Sequence, residues 1–177
     1  MSVLADRLLA IDEALVVAEL PHAFGGAIAL GYCTGETRAT EDLDLNVFVG
    51  ADRAAQALAA LPAPVAVTAQ DRERAERDGE VTVHWQETSI DIFFDTLPIH
   101  RAMAEHVRLV SFAERSIPIV GCTELAVFKA SFDRARHWAD VEAMVAAGSV
   151  DVDAALAWLR QMCGSGSVQV HRLESMR

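Results

Sequence analysis

The chain has 177 residues, 52% of them hydrophobic, and a formal net charge of −11. That is enough apolar material for one packed domain with a helical appendage. No apolar run reaches the roughly 18 residues of a membrane span, and the acidic balance lacks the basic footprint of a duplex-binding module. The N-terminus shows no basic leader followed by an uninterrupted apolar core, so no signal peptide is expected. Cys33, Cys122 and Cys163 form no CxxC pair and no zinc spacing; an odd, scattered set is a poor disulfide framework and points to a reducing cytoplasm.

Residues 2–19 read as a helix: Leu4, Leu8, Ile11, Leu15 and Ala18 recur at three and four, Ser2 can cap, and Pro21 stops it. Residues 22–24 suit a short strand running into Gly25-Gly26, and residues 27–32 a short helix. A polar loop follows over 33–40, then the first clear strand over 43–49, ended by Gly50. Asp52 can cap a helix to about Leu61, which Pro62-Ala63-Pro64 breaks. Residues 65–68 suit a strand, and the charged stretch 70–79 is either a solvated helix or a mobile loop. Residues 81–85 and 89–94 flank a polar turn and predict a hairpin. Pro98 opens a helix to about His106, and 107–112 with 117–120 form a further strand pair. Thr123 is placed to cap a long helix to about Ala147, with Gly148 as its stop. Asp151 or Asp153 starts a last helix to Met162, and the polar residues 164–177 read as a flexible tail. The class is α+β: a small mixed β-sheet with flanking helices, followed by C-terminal helices.

Within 25-GGAIALGYCTGETRATEDLDLNVFV-49, Asp42 and Asp44 alternate with the apolar Leu43, Leu45 and Val47. Side chains alternate faces along a strand, so the two acids point one way and the apolar residues the other. Two carboxylates so close repel unless a cation lies between them, and hard divalent cations prefer oxygen ligands. A third acid, Asp91, interrupts the apolar strand 89-SIDIFFDT-96. If that strand lies beside residues 43–49, Asp91 faces the same way as Asp42 and Asp44. Three such carboxylates can hold two ions about 4 Å apart, a clamp for phosphoryl groups. Asp95 shares the parity of Asp91 but lies at the strand end. The plainer role for Asp42 and Asp44 is to cap a turn or to pair with Arg38.

Gly25-Gly26 ahead of a helix exposes backbone N–H groups, which favour an anion. No Gly-Lys-Ser/Thr follows, and the spacing to Gly31 is wrong for a dinucleotide turn, so a simple tight turn is the alternative. In 124-ELAVFKASFDRARHWADVEAM-144, Leu125, Phe128, Phe132, Ala135 and Ala139 make an apolar stripe. Lys129, Asp133, Arg136, His137 and Asp140 run beside it, either to neutralise phosphate charge or as solvated i,i+4 pairs, Lys129 with Asp133 and Arg136 with Asp140. The histidines make no metal spacing, and Trp85, Trp138 and Trp158 read as core or interface.

Gly-Gly before a short helix, then Arg38-x-Thr40-x-Asp42-Leu43-Asp44-Leu45, then Asp91 on a later strand, resembles the nucleotidyltransferase (polymerase-beta-like) superfamily. The likeness is closest to its small bacterial minimal and antitoxin-type branch, and it covers roughly residues 20–147. It implies a core over 1–121, a helical part over 122–163 packed on that core, and the tail 164–177. It further implies transfer of a nucleoside monophosphate from a triphosphate to a hydroxyl acceptor, protein or small molecule, with release of pyrophosphate. Asp42 and Asp44 would bind two Mg²⁺ ions, with Asp91 as third carboxylate and activator of the acceptor hydroxyl. Gly25, Gly26, Arg38, Thr40 and Lys129 would hold the nucleotide. Many members carry Gly-Ser where this chain has Gly26. The same likeness admits an inactive binding module, such as an antitoxin bound to its toxin or a partner subunit. The charge also suits a cationic, aminoglycoside-type acceptor.

Overall fold

The structure is a computed structural model that describes residues 2–177. Its elements are α1 (Val3–Val17), β1 (His22–Phe24), α2 (Gly26–Thr34), β2 (Leu43–Val47), a 3₁₀ turn (Ala51–Arg53), α3 (Ala54–Ala60), α4 (Ala69–Asp78), β3 (Glu80–Trp85), β4 (Thr88–Phe94), α5 (Pro98–Glu105), β5 (Arg108–Phe112), β6 (Arg115–Ile119), α6 (Cys122–Ser131), α7 (Ala135–Ala146), α8 (Val152–Cys163) and α9 (Val168–Glu174). The chain divides into two compact units, residues 2–28 with 39–120, and residues 29–38 with 121–177.

The first unit holds one six-stranded sheet in the order β3-β4-β2-β1-β6-β5. It is mixed: β2 runs parallel to β4 and β1 to β6, and the remaining neighbours are antiparallel. The register lines up Val81, Ile92, Leu45, Phe24 and Ile119 as one row across five strands. Every member of that row is at most 3% exposed. Burying each such side chain stabilises by about 1.5–3 kcal/mol, so this row, with Leu8, Ile11 and Leu15 of α1 fully buried, fixes the register of the sheet.

Local chemistry explains most boundaries in this unit. Ser2 caps α1 by accepting from the Ala5 N–H at 3.2 Å. Buried Arg7 reaches from α1 to the β3–β4 turn, donating to Thr88 Oγ1 and Gln86 Oε1. The charged stretch 70–79 is a helix, because Thr68 and Asp71 close a reciprocal capping box and Gly79 ends α4 at φ +72°. The Thr68 hydrogen bonds hold the Asp71 carboxyl below its ordinary value. Two expectations change here. Asp52 lies inside the 3₁₀ turn rather than capping a helix. Residues 65–68 make a single bridge, Ala66 with His84, in place of a strand.

The second unit is helical, and it departs from the sequence reading in three ways. The long helix over 123–147 is broken into α6 and α7 at Asp133, which sits at φ +50°. The break is held by Trp138, fully buried, whose Nε1 donates to Asp133 Oδ1 at 2.7 Å. Thr123 does not cap α6; its Oγ1 accepts from the Asp151 N–H ahead of α8, while Gly121 takes the cap position. The polar stretch 164–177 carries α9, capped by Ser167, with Val170 and Leu173 buried and Arg172 stacked on Trp138 at 4.7 Å. Its few apolar residues fall on one face, which composition hides.

The cysteine expectation is overturned too. Cys33 on α2 and Cys122 on α6 are joined by a disulfide across 89 residues of sequence, with Cα atoms 5.6 Å apart, and Cys163 is left free. Distance along the chain says nothing of proximity in the fold, so the argument from cysteine count to a reducing compartment no longer holds. Among the described residues no helix is long and apolar enough to cross a membrane.

Candidate active site

One residue to the side of this apolar row, after Val81 on β3 and before Ile92 on β4 and Leu45 on β2, runs a polar one. Thr82 on β3 is paired with Asp91 on β4, and Asp91 with Asp44 on β2. The Gly25 N–H donates to the Asp44 carbonyl at 2.8 Å, which extends the row to the end of β1. Alternation therefore turns Thr82, Asp91 and Asp44 to the face opposite the core. The Thr82 hydroxyl donates to Asp91 Oδ1 at 2.6 Å. Both acids are half-buried.

Asp42 stands just outside β2 and is exposed. Thr40 forms the turn that leads in: its Oγ1 accepts from the Asp42 N–H at 3.3 Å and donates to the Asp42 carbonyl at 3.2 Å. The hydroxyl expected on the nucleotide thus orients the backbone at Asp42. Among the described residues no three His, Cys, Asp or Glu side chains stand together as a ready-made metal cluster. The acids of the first unit are a register pair with one flanking carboxylate.

Gly26 opens α2 at φ +51°, a region that favours glycine. A Cβ built there would lie 1.7 Å from Asp44 Oδ2 and 2.4 Å from its Cγ. Any side chain at 26 would have to displace the Asp44 carboxylate as well as adopt this backbone. Gly25 is also close-packed, its Cβ position 3.1 Å from Asn46 Nδ2.

Arg38 and Lys129 belong to the second unit and meet over Asp140. Lys129 Nζ donates to Asp140 Oδ2 at 2.7 Å and Arg38 Nη1 to Asp140 Oδ1 at 3.0 Å. The Lys129 and Asp140 side chains are 11% and 6% exposed, while Arg38 is 62% exposed. The anticipated i,i+4 partners are replaced because the break at Asp133 commits that acid to Trp138. His137, crowded by burial and by Lys129, Arg136 and Arg134, is held below the ordinary histidine value.

Two residues of the polar face escaped the sequence reading. Asn46 continues the Asp42, Asp44 alternation and is 4% exposed, with its Oδ1 buried and unbonded; the polar residue in an apolar strand was its signal. Thr82 had none, since threonine is an ordinary strand residue.

No protein-family model and no curated protein matches the sequence. Solved structures do match the architecture. ANT(2")-Ia, in a crystal structure with adenylyl-2"-tobramycin, is similar over 94% of this chain and 100% of that one, with a TM-score of 0.66 at 13% identity. An antigenic nucleotidyltransferase-like protein from Paracoccidioides brasiliensis is similar over 97% of this chain and 94% of that one, with a TM-score of 0.55 at 15% identity. The lincosamide antibiotic adenylyltransferase LnuA, in its lincomycin-bound crystal structure, is similar over 78% of this chain and 94% of that one, with a TM-score of 0.53 at 13% identity. Sheet, helices and coverage agree: this chain has the nucleotidyltransferase fold.

Proposed function

We propose that the protein transfers a nucleoside monophosphate from a nucleoside triphosphate to a hydroxyl acceptor, releasing pyrophosphate. The observation that carries this reading is the register pair Asp44–Asp91 beside the Gly25-Gly26 turn. Two facing carboxylates on the solvent side of a sheet, next to the N-terminus of a helix, suit a triphosphate and the cations that accompany it.

The donor set fits Mg²⁺. It is all oxygen, and Mg²⁺ is commonly held by one or two carboxylates with substrate phosphates and water completing the shell. Asp42 and Asp44 would hold the ions, with Asp91 as the third carboxylate beside them; when bound, these ions neutralise phosphate charge. The chain's own groups do the rest. Backbone N–H groups at Gly25-Gly26 and the first turn of α2 orient the phosphates. Asp91 takes the proton from the acceptor hydroxyl as its oxygen bonds to the α-phosphorus and the α–β bridging P–O bond breaks. Lys129 and Arg38, the cations expected to meet phosphate, are paired with Asp140 within the second unit.

Two of the similar structures are bound to an antibiotic or its adenylylated product. With a net charge of −11, this supports a small cationic, hydroxyl-rich acceptor over a protein one. The alternative, an inactive binding module, rests on Gly26 and the acidic surface, and a wild type that turns over no triphosphate would favour it.

The test follows pyrophosphate release from ATP, GTP, CTP and UTP with Mg²⁺, against an acceptor panel that includes tobramycin and lincomycin. Turnover is expected with at least one pair, and Asp44→Asn is expected to abolish it with the fold intact. Full activity in Asp44→Asn would overturn the assignment.

A further inference from the structure

We propose that Thr82 is a positioning residue for Asp91 in this transfer, an inference that rests on the function proposed above. Asp91 is the acid that faces Asp44 in register, and the only hydrogen bond its carboxylate receives among the described residues is the one from Thr82, on Oδ1 at 2.6 Å. That is at the short end for O–H···O, as charge-assisted bonds are. A carboxylate rotates freely about its last torsion unless something holds it. With Oδ1 tied to β3, rotation is stopped and Oδ2 is left without a protein donor. Oδ2 is then the oxygen that receives the acceptor's proton while the acceptor oxygen bonds to the α-phosphorus and pyrophosphate departs from the triphosphate.

The arrangement is built into the sheet. Thr82 and Asp91 are direct cross-strand partners, and the register is pinned by Val81 against Ile92 and Val83 against Ile90 on the buried face. A slip of one residue would turn Thr82 into the core. The plainer role for the same contact is a cross-strand pair that merely stabilises the hairpin. The two roles differ in what they change: a positioning bond acts on the chemical step, and a stabilising pair acts on melting.

Thr82→Val keeps the β-branched shape and removes the hydroxyl; Thr82→Ser keeps the hydroxyl. kcat, the KM for the triphosphate and the melting temperature are measured for both beside the wild type. Thr82→Val is expected to lose roughly tenfold in kcat, part of the about 10²–10⁴ that a placed base supplies, with KM unchanged. Thr82→Ser is expected to restore kcat. An active wild type with Thr82→Val at the same kcat, or with Thr82→Ser as slow as Thr82→Val, overturns this inference alone. A wild type that turns over no triphosphate with any acceptor overturns the transfer reading, and this inference with it.

Discussion

Replacing Gly26 by alanine tests the closest contact of the candidate site. Two costs are separable. The backbone at φ +51° is left-handed, which costs a residue with a Cβ about 1–2 kcal/mol. The new methyl would also sit 1.7 Å from Asp44 Oδ2 and 2.4 Å from Cγ, so the carboxylate must rotate away. Forcing a side chain off its rotamer costs about 0.5–1.5 kcal/mol. Together Gly26→Ala should lose about 1.5–3.5 kcal/mol. Asp44→Ala removes the clashing atoms, although Asp44 Cβ still lies 3.0 Å from the new methyl. In that background Gly26→Ala should cost only the backbone share, leaving a coupling of about 1 kcal/mol between the sites. Urea unfolding of the wild type, both single variants and the double variant measures the cycle, with equal m-values as the check that only stability has changed. Additivity within about 0.3–0.5 kcal/mol would show that the two sites are independent and would refute the steric coupling.

Two further outcomes concern charge. Asp140→Asn leaves Lys129 buried without a full counter-charge and is expected to cost about 3–5 kcal/mol, whereas Arg38→Ala removes an exposed partner and should cost at most about 1 kcal/mol; equal losses in chemical denaturation would refute this ordering. His100 is held below the ordinary histidine value by burial, against an opposing pull from Asp95, and its Nδ1 accepts from the N–H groups of Thr96 and Leu97. The folded protein therefore favours the neutral ring, while the unfolded chain protonates near the ordinary value of about 6.5. This contribution is complete above that pH and is lost as pH falls through the depressed folded value. His100→Asn, which keeps an acceptor near Nδ1, should show a shallower fall in melting temperature between pH 7 and pH 5; an identical fall would refute the role of His100.

The sequence by itself determined what depends on a single segment. Alternation in 43-LDLNV-47 and 88-TSIDIFF-94 placed Asp44 opposite Leu43, Leu45 and Val47 and Asp91 opposite Ile90 and Ile92. Ser2 and Pro98 marked helix starts, Asp151 was one of two candidates for another, and Gly25-Gly26 marked the turn that opens α2. These are local matters of torsion, capping and period.

Only the tertiary structure decided which segments meet. Asp91 faces Asp44 because buried Ile92 and Leu45 lock the parallel register of β4 and β2. Thr82 became relevant only once β3 was laid against β4. Lys129 changed partner because burying Trp138 bends the chain at Asp133, which outweighs the few tenths of a kcal/mol that an i,i+4 pair offers. Cys33 and Cys122 meet because the 29–38 segment folds with residues 121–177 in the second unit. Each of these contacts is chosen by apolar burial far from it in sequence, and no local pattern records that choice.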